Sequence, residues 1–265
     1  MHIIDVDFLS DMSPYAEFWS TQISQRPHLV QPVKCPMCKK SLRRSYFDYD
    51  KFVLGEGILP DVIYRGLIVS EKFRTMWVKS GLKGIVDFLP LPLYQRRNKR
   101  CVAVKQPYYQ VVLNVPHLKV DLEKSSMIDG NSILANVGDE VVVPEGKRLW
   151  IYWQCPVCGY TYKTFSPYRY RQCVEYWPLP ERLVYGGTTD DDIFAFTNVF
   201  NGFESGMIGN RYYFVSDRFI DFIKENQLTN MYAFSYEEFR TKYERDPLIK
   251  YTPVYTDPSI ATVDR

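Results

Sequence analysis

The chain has 265 residues, of which 46% are hydrophobic and 24% are charged, and these proportions exclude a disordered, collagen-like or coiled-coil protein. The 33 lysines and arginines against 31 acidic residues give a formal net charge of +2, which is too balanced for a protein that packages nucleic acid. Aromatic residues make up 16% of the chain, a bias that favours β-sheets and flat contact surfaces. Three histidines are few for a catalyst, which weakens a hydrolase interpretation. Because the sequence also lacks an evident catalytic constellation, we predict a protein that is not an enzyme, with an enzyme that uses an unrecognised carboxylate or cysteine site as the alternative.

The N-terminal sequence MHIIDVDFLSDM carries acidic residues where a secretory signal has basic residues followed by an uninterrupted apolar run. No window of the sequence approaches the roughly 20 apolar residues that a membrane-spanning helix requires. We therefore expect a cytoplasmic protein with no membrane contact.

The first element that the sequence predicts is a short helix over 13–22. Pro14 suits the first helical position, and Tyr15, Phe18 and Trp19 fall on one side of such a helix. The segment 29–34 that follows has the composition of a strand and leads into the first cysteine pair.

Four of the six cysteines lie in two copies of one tetrapeptide, Cys35-Pro36-Met37-Cys38 and Cys155-Pro156-Val157-Cys158. A CxxC turn directs two thiolates at one point, and two such turns supply the four ligands of a tetrahedral zinc site. Each pair follows a strand-like segment, as in zinc ribbons. Because cysteine would fill every coordination position, we predict a structural zinc ion, Zn²⁺, held by Cys35, Cys38, Cys155 and Cys158.

The two pairs are separated by 116 residues, far more than the short spacer of a compact zinc ribbon. A whole subdomain must therefore lie between them. Two alternatives stay open at this point, namely a thioredoxin-like redox pair and an empty site with ordinary buried cysteines. The other two cysteines, Cys101 and Cys173, stand alone, and we expect both to be small buried apolar side chains.

An internal repeat follows the first pair, because residues 69–73 (VSEKF) and 215–219 (VSDRF) align at an offset of 146. In both copies an apolar run ends in a serine, Ser70 or Ser216, that can cap a helix, and an acidic residue follows in the first turn. Apolar residues then recur at helical spacing. They are Phe73, Met76 and Trp77 in the first copy and Phe219, Phe222 and Ile223 in the second.

Each copy therefore predicts a strand, a helix and a second strand. We expect the first helix to end at Gly81 or Gly84 and the second at Asn226 or Asn230, because glycine and asparagine tolerate a left-handed backbone. The alternative is chance similarity, since strand–helix–strand units with serine caps are common.

The sequence between the two copies is rich in strand signals. We predict strands over 102–105, 108–113, 140–143 and 149–153, with a turn over 144–147 joining the last two. Prolines predict an irregular loop over 166–187 and an extended tail over 246–265.

Two runs of charge also lie in this part of the chain. We expect the basic run Arg96-Arg97-Asn98-Lys99-Arg100 on a solvated loop, with phosphate or acidic-partner binding as the open alternative. We expect a solvated loop for Asp190-Asp191-Asp192 as well. A metal-binding or catalytic role is the alternative there, although no histidine or glutamate lies near in sequence to complete a site.

These elements together predict an α+β fold with two similar strand–helix–strand units and additional antiparallel strands, joined by a zinc-ribbon-like pair of CxxC knuckles. Residues 1–120 would form an N-terminal half with the first knuckle and the first unit. Residues 121–265 would form a C-terminal half with the second knuckle and the second unit. A single compact domain is the alternative.

The order of these motifs resembles that of the double-CXXCG-motif immunity proteins of bacterial polymorphic toxin systems. The matching segments are Cys35-Pro36-Met37-Cys38, then 155–159 (CPVCG), then Asp192-Ile193-Phe194, and then 215–219 (VSDRF). The first knuckle departs from the family pattern, since Lys39 stands where glycine is usual. The middle of the chain is also similar to a related immunity family, in which a VS-x-x-F helix unit precedes paired tyrosines and an acidic-Leu-Glu-Lys-Ser stretch, here 108–109 and 121–125.

The resemblance implies a non-enzymatic immunity protein that binds one cognate bacterial toxin and neutralises it by occlusion. It transfers no toxin-contact residues to this chain. The alternative is a zinc-ribbon nucleic-acid-binding protein, which the run 96–100 favours together with basic residues beside the first knuckle, namely Lys39, Lys40, Arg43 and Arg44. Because the overall charge is balanced, we expect a protein partner rather than nucleic acid.

Overall fold

A computed structural model of the chain describes residues 1–5, 15–16, 18–23, 33–40, 49–63, 67–114, 118–126, 128–147, 149–166, 170–172, 182–194 and 213–243. The fold is α+β, as the sequence predicts, with mostly antiparallel strands and few helices in the described ranges. Within those ranges, no helix has both the length and the apolar character needed to cross a bilayer.

The described helices are α1 (Glu71–Ser80), α2 (Asp217–Glu225) and α3 (Tyr236–Tyr243). The described strands are β1 (His2–Asp5), β2 (Phe18–Ile23), β3 (Tyr49–Leu54), β4 (Val62–Ile63), β5 (Ile68–Ser70), β6 (Ile85–Leu91), β7 (Leu93–Arg97), β8 (Arg100–Ala103), β9 (Tyr108–Leu113), β10 (Lys119–Val120), β11 (Ser132–Asn136), β12 (Leu149–Gln154), β13 (Thr161–Ser166), β14 (Tyr170–Gln172), β15 (Tyr185–Gly186), β16 (Ile193–Phe194), β17 (Tyr213–Val215) and β18 (Tyr232–Ser235).

Two four-stranded antiparallel sheets carry helices α1 and α2. Their strand orders are β4-β5-β9-β6 and β16-β17-β1-β18. In each sheet the strands before and after the helix do not pair with each other, because a third strand lies between them. That strand is β9 in the first sheet and the N-terminal β1 in the second. Both copies of the sequence repeat thus form a strand, a helix and a second strand.

The two helices begin where the sequence predicts. The hydroxyl of Ser70 accepts a hydrogen bond from the backbone N–H of Phe73 at 3.3 Å, and Ser216 caps α2 in the same way at 3.2 Å. Helix α1 ends at Gly81 in the left-handed conformation, with φ 70°. Helix α2 ends at Asn226, one of the two predicted residues, but Asn226 itself has φ −91°. The left-handed conformations that follow fall on Gln227, with φ 47°, and on the other predicted residue, Asn230, with φ 61°.

Helices α1 and α2 pack against each other through aromatic rings. Trp77 meets Phe222 edge to face, with 5.8 Å between ring centroids, and Phe73 meets Phe222 edge to face at 5.6 Å. Trp77 is 5% exposed, and Phe73 and Phe219 are fully buried. The apolar stripe of each predicted helix therefore forms one shared core between the two sheets.

A buried carboxylate, that of Asp61, ties the start of α1 to the loop after α2. Its Oδ1 accepts a hydrogen bond from the hydroxyl of the capping Ser70 at 2.7 Å. Its Oδ2 accepts one from the backbone N–H of Thr229 at 3.0 Å and one from the ammonium of Lys72 at 3.1 Å. Asp61 thus joins two elements that lie far apart in sequence.

A second buried carboxylate, that of Asp192, makes the reverse connection. Its Oδ1 accepts a hydrogen bond from the hydroxyl of the capping Ser216 at 2.6 Å, and its Oδ2 accepts one from the backbone N–H of Lys83 at 2.9 Å. Arg218 pairs with the same oxygen at 3.4 Å. Lys83 follows α1, so each carboxylate links the start of its own helix to the loop after the other helix. The positions 72 and 218, and 83 and 229, are again 146 apart.

The predicted helix over 13–22 is wrong where the structure describes that segment. Residues 18–23 form strand β2, which pairs antiparallel with β3 in a sheet of order β2-β3-β7-β8. The segment FWSTQI is rich in aromatic and β-branched residues, and pairing with β3 outweighs the local helical spacing. Residues 13–14 and 17 lie outside the described ranges, as do 29–32 of the segment before the first knuckle.

The strands predicted between the repeats are met in part. Strands β9 and β12 match 108–113 and 149–153, and the predicted strand 102–105 is displaced to Arg100–Ala103. The strand predicted over 140–143 is wrong, because β12 pairs instead with β11 in parallel and with β13 in antiparallel orientation. The predicted loop over 166–187 contains the short strands β14 and β15, with 167–169 and 173–181 outside the described ranges, as is the tail 246–265.

Candidate metal centre

The second CxxC knuckle forms the turn of the hairpin between β12 and β13. The backbone N–H of Cys155 donates to the carbonyl of Tyr160 at 2.8 Å, and that of Gly159 donates to the carbonyl of Cys155 at 2.8 Å. Gly159 has φ 73°, a left-handed conformation that glycine adopts without a Cβ clash. The hairpin therefore presents both thiols of the pair from a short, hydrogen-bonded turn.

The first CxxC knuckle has the same backbone frame. The N–H of Cys35 donates to the carbonyl of Lys40 at 2.8 Å, and that of Lys39 donates to the carbonyl of Cys35 at 3.1 Å. Lys39 occupies the position of Gly159 and takes the same left-handed conformation, with φ 60°. The lysine that departs from the expected CXXCG pattern thus keeps the shape of the turn, at the steric cost of a side chain in this region.

The structure brings the four predicted ligands together although 116 residues separate the two pairs. Their sulfur atoms all lie within 4.8 Å of one another, with 3.8 Å between Cys35 and Cys155 and 3.5 Å between Cys38 and Cys158. All four are free thiols, with no disulfide among them. A tetrahedral ion with metal–sulfur bonds of about 2.3 Å holds its sulfurs about 3.8 Å apart, so this cluster can hold a metal ion.

Burial shapes the ionisation of these thiols. Cys35 and Cys155 are fully buried and Cys158 is 8% exposed. Burial raises the pKa of Cys158 and of Cys38. Burial acts on Cys35 as well, but hydrogen bonds from the backbone N–H groups of Cys38 and Met37 outweigh it and lower the pKa of Cys35 to about 7. Burying a thiolate without a nearby cation costs free energy. The four thiols therefore suit a metal ion better than an empty site with ordinary buried cysteines.

Three lysine ammonium groups contact residues in or directly after the two knuckles. Lys39 donates to the carbonyl of Pro36 in the first knuckle, and Lys119 donates to the carbonyl of Pro156 in the second. Lys40 lies over the ring of Tyr160, with 4.6 Å from its Nζ to the ring centroid. Four thiolates around a divalent cation carry a net charge of −2, and nearby ammonium groups stabilise such a charge.

The second knuckle is also anchored to the rest of the chain. The amide of Gln154 at the end of β12 donates to the carbonyl of Val120 in β10 at 3.3 Å. The backbone N–H of Val137, which packs against the cysteines, donates to the carbonyl of Gln154 at 2.9 Å. Strands β10 and β11 therefore position the turn that carries Cys155 and Cys158.

The prediction for the two remaining cysteines has separate outcomes. Cys101 is exposed, so the expectation that it is buried is wrong. It lies in β8, at one edge of its sheet, where all four side chains are exposed. Burial of an isolated cysteine depends on long-range packing that the surrounding sequence does not reveal. Cys173 lies outside the described residues.

The charged runs match the expected solvated loops only in part. Residues 96–100 form the end of β7, the start of β8 and the turn between them, with Asn98 and Lys99 in left-handed conformations. Asp190 pairs with Lys83 at the surface, as a solvated residue does. Asp192 is only 2% exposed, so the expectation of a solvated residue is wrong at that position. The structural roles of Asp192 and Asp61 were not predicted from the sequence. The signal that could have found Asp61 and Asp192 is their place just before the short strands that precede each capping serine.

The four cysteines are the one group of potential metal-ligating side chains that the described part of the chain brings together. The distances between the four sulfur atoms are those that a bound metal ion requires. The resemblance to immunity proteins rests on the sequence motifs alone and stays a prediction. Comparison with protein-family models, with curated proteins and with solved structures found no match.

Proposed function

We propose that this chain is a cytoplasmic immunity protein that binds one cognate bacterial toxin and neutralises it by occlusion, without enzymatic activity. The observation that carries the proposal is the convergence of two CxxC knuckles from distant parts of the chain, in the motif order typical of double-CXXCG-motif immunity proteins. Four free thiols suit the cytoplasm, where the glutathione and thioredoxin systems keep cysteines reduced.

Zinc is the metal that we propose for the site. Thiolate is a soft ligand, and four thiolates in a tetrahedral arrangement favour zinc over magnesium, calcium or manganese. Cys35, Cys38, Cys155 and Cys158 would hold the ion, and no coordination position would stay open for a substrate. The metal would then supply stability alone, by closing a loop of more than 100 residues between the knuckles.

A rigid scaffold is what occlusion requires. The aromatic contacts between α1 and α2, the two buried carboxylates and the metal centre all hold distant parts of the chain in one arrangement. A partner that blocks a toxin loses little entropy on binding when its surface is already ordered. We expect an interface of standard size, which buries roughly 1,600 Å² in total.

Co-expression with the toxin-like protein encoded beside this chain tests the proposal. The two proteins should co-purify, and cells that die when they express the toxin alone should survive when this chain is present. If the neighbouring product neither co-purifies nor loses toxicity, the immunity function is wrong. A Cys155→Ser variant serves as the second arm, because it should protect less well through loss of the folded scaffold.

The second candidate is a zinc-ribbon nucleic-acid-binding protein, which the lysines beside the first knuckle favour. Two of these, Lys39 and Lys40, already contact the knuckle carbonyl of Pro36 and the ring of Tyr160. Binding driven by phosphate contacts weakens steeply as salt rises. A titration of DNA and RNA at low ionic strength that detects no binding removes this candidate.

A further inference from the structure

The basic run 96–100 forms the turn end of the β-hairpin of β7 and β8, which lies at one edge of the sheet of β2, β3, β7 and β8. Asn98 and Lys99, with φ 47° and 64°, make the two-residue turn between β7 and β8. Arg96, Arg97, Lys99 and Arg100 place four positive charges on this tip, and the segment Leu93–Ala103 contains no acidic residue. The hairpin therefore carries a strong local positive charge, although the net charge of the whole chain is only +2.

A cleft of about 330 Å³ lies between this hairpin and the segment after β3, lined by Glu56, Gly57, Gln95, Arg96, Arg97 and Asn98. Gln95 is 2% exposed and forms hydrogen bonds to residues on both sides of the cleft. Its amide donates to the carbonyl of Gly57 at 2.6 Å, and its Oε1 accepts a hydrogen bond from Nε of Arg97 at 3.0 Å. A buried side chain thus holds the guanidinium of Arg97 at the cleft, in an orientation set before any ligand arrives.

The register of the hairpin places further side chains beside Arg97. Arg97 pairs with Arg100 and Gln95 pairs with Val102, and residues opposite each other in an antiparallel ladder share one face. This face therefore carries two guanidinium groups next to an apolar side chain. Val102 is 46% exposed, and Ile58, next to the cleft residue Gly57, is 59% exposed.

Nothing in the described residues neutralises or covers this surface. All four side chains of β8 are exposed, and no ion pair among the described residues engages Arg97, Lys99 or Arg100. The one acidic side chain that lines the cleft, Glu56, accepts a hydrogen bond from the backbone N–H of Asn98 at 3.0 Å. That contact fixes the turn and does not involve the guanidinium group of Arg97 or of Arg100.

We propose that the face formed by Arg97, Arg100 and Val102 is the docking surface for an acidic patch on the partner protein. This inference rests on the proposed function, because it names the surface that would meet the toxin. Arginine binds carboxylates through paired hydrogen bonds, and arginine beside exposed apolar side chains is typical of the centre of protein interfaces. Nucleic acid fits this face less well, because no aromatic ring lines the described cleft for a base to stack on.

The test compares three full-length, zinc-loaded proteins in binding to the purified toxin from the neighbouring gene. They are the wild type, the double variant Arg97→Glu/Arg100→Glu, and a control Lys147→Glu/Arg182→Glu that makes the same change of net charge at exposed positions elsewhere. Affinity is measured by titration calorimetry at low and at moderate salt. Zinc content and thermal melting show that each variant folds. A fourth protein, Val102→Asp, gives an independent change on the same face.

The double variant should bind the toxin at least about 100-fold more weakly than the wild type, because two favourable charge contacts become repulsive. The control should bind within about threefold of the wild type, since scattered surface charges contribute little. A double variant that binds as the wild type does overturns the docking surface and leaves the immunity function standing. A wild type that does not bind the toxin overturns both. Tight wild-type binding to a DNA or RNA oligonucleotide that the double variant loses assigns the surface to nucleic acid and overturns the proposal.

Discussion

Replacing the buried carboxylate of Asp192 by the isosteric amide should destabilise the fold without changing its shape. In the native chain, Asp192 accepts hydrogen bonds from the Ser216 hydroxyl at 2.6 Å and from the Lys83 N–H at 2.9 Å. In Asp192→Asn, the amide oxygen can keep the bond from Lys83, and the Ser216 hydroxyl can rotate to accept from the amide nitrogen. The variant therefore loses the charge on both bonds and gains no clash.

The magnitude follows from the type of bond. A hydrogen bond to a charged group contributes about 1.5 to 3 kcal/mol, against about 1 kcal/mol for a neutral one. The ion pair with Arg218 adds little, because the arginine side chain is 61% exposed. We expect Asp192→Asn to lower the free energy of unfolding by about 2 kcal/mol, and Asp192→Ala, which leaves two donors without an acceptor, by about 4 kcal/mol.

Urea unfolding at pH 7 with zinc present measures these changes, provided that the slope against urea stays constant. Asp191→Asn is the matched control, because the carboxylate of Asp191 is next to Asp192 in sequence but only partly buried, and accepts a hydrogen bond from the side-chain amide of Asn114 at 3.3 Å. The control should change the free energy of unfolding by less than about 0.5 kcal/mol. Asp61→Asn should match Asp192→Asn, because it makes the reciprocal connection. If Asp192→Asn is as stable as Asp191→Asn, the carboxylate does not link the helices in the way described.

Three further predictions concern the core and the knuckles. Trp77→Ala should lower the free energy of unfolding by about 3 to 5 kcal/mol, because the ring is only 5% exposed between the two helices. Val78→Ala, at a position that is 69% exposed, is the control and should have little effect in the same denaturation assay. Lys39→Gly should raise the free energy of unfolding by about 0.5 kcal/mol, and the thermal midpoint slightly, because it relieves a left-handed lysine. Gly159→Ala should lower the free energy of unfolding by about 1 kcal/mol, because alanine is strained in the same conformation. Equal midpoints for the two variants would contradict the strain at these positions. Cys155→Ser should release the metal and lower stability by several kcal/mol, and Cys101→Ser, the same change at an exposed thiol, should leave the metal content and the melting curve unchanged.

The features that the sequence predicted best are those set by local chemistry. The CxxC spacing with its proline identified both knuckles, and the capping serines located the first residue of α1 and of α2. The convergence of the knuckles could be argued as well, because four thiols complete one coordination sphere. The resemblance to immunity proteins rests on the same short motifs.

The features that the sequence did not predict depend on contacts between distant segments. The insertion of β1 between β17 and β18 leaves no trace in the sequence of the N-terminal strand itself. Asp61 and Asp192 lie in short segments without a helical or strand periodicity, and their roles come from the backbone N–H groups that meet them across the core. The strand predicted over 140–143 failed for a similar reason, since the parallel partner β11 supplied the pairing that a hairpin would have given.

The metal content of the purified wild-type chain tests the central claim most directly. Protein purified without chelators from cells grown with zinc should contain one zinc ion per chain, as measured by inductively coupled plasma mass spectrometry. A thiol reagent should then detect four fewer reactive cysteines in the native protein than after chelation, and chelation should lower the thermal midpoint sharply. A chain that carries no metal, and that melts at the same temperature with and without a strong chelator, would contradict the metal centre on which this account depends.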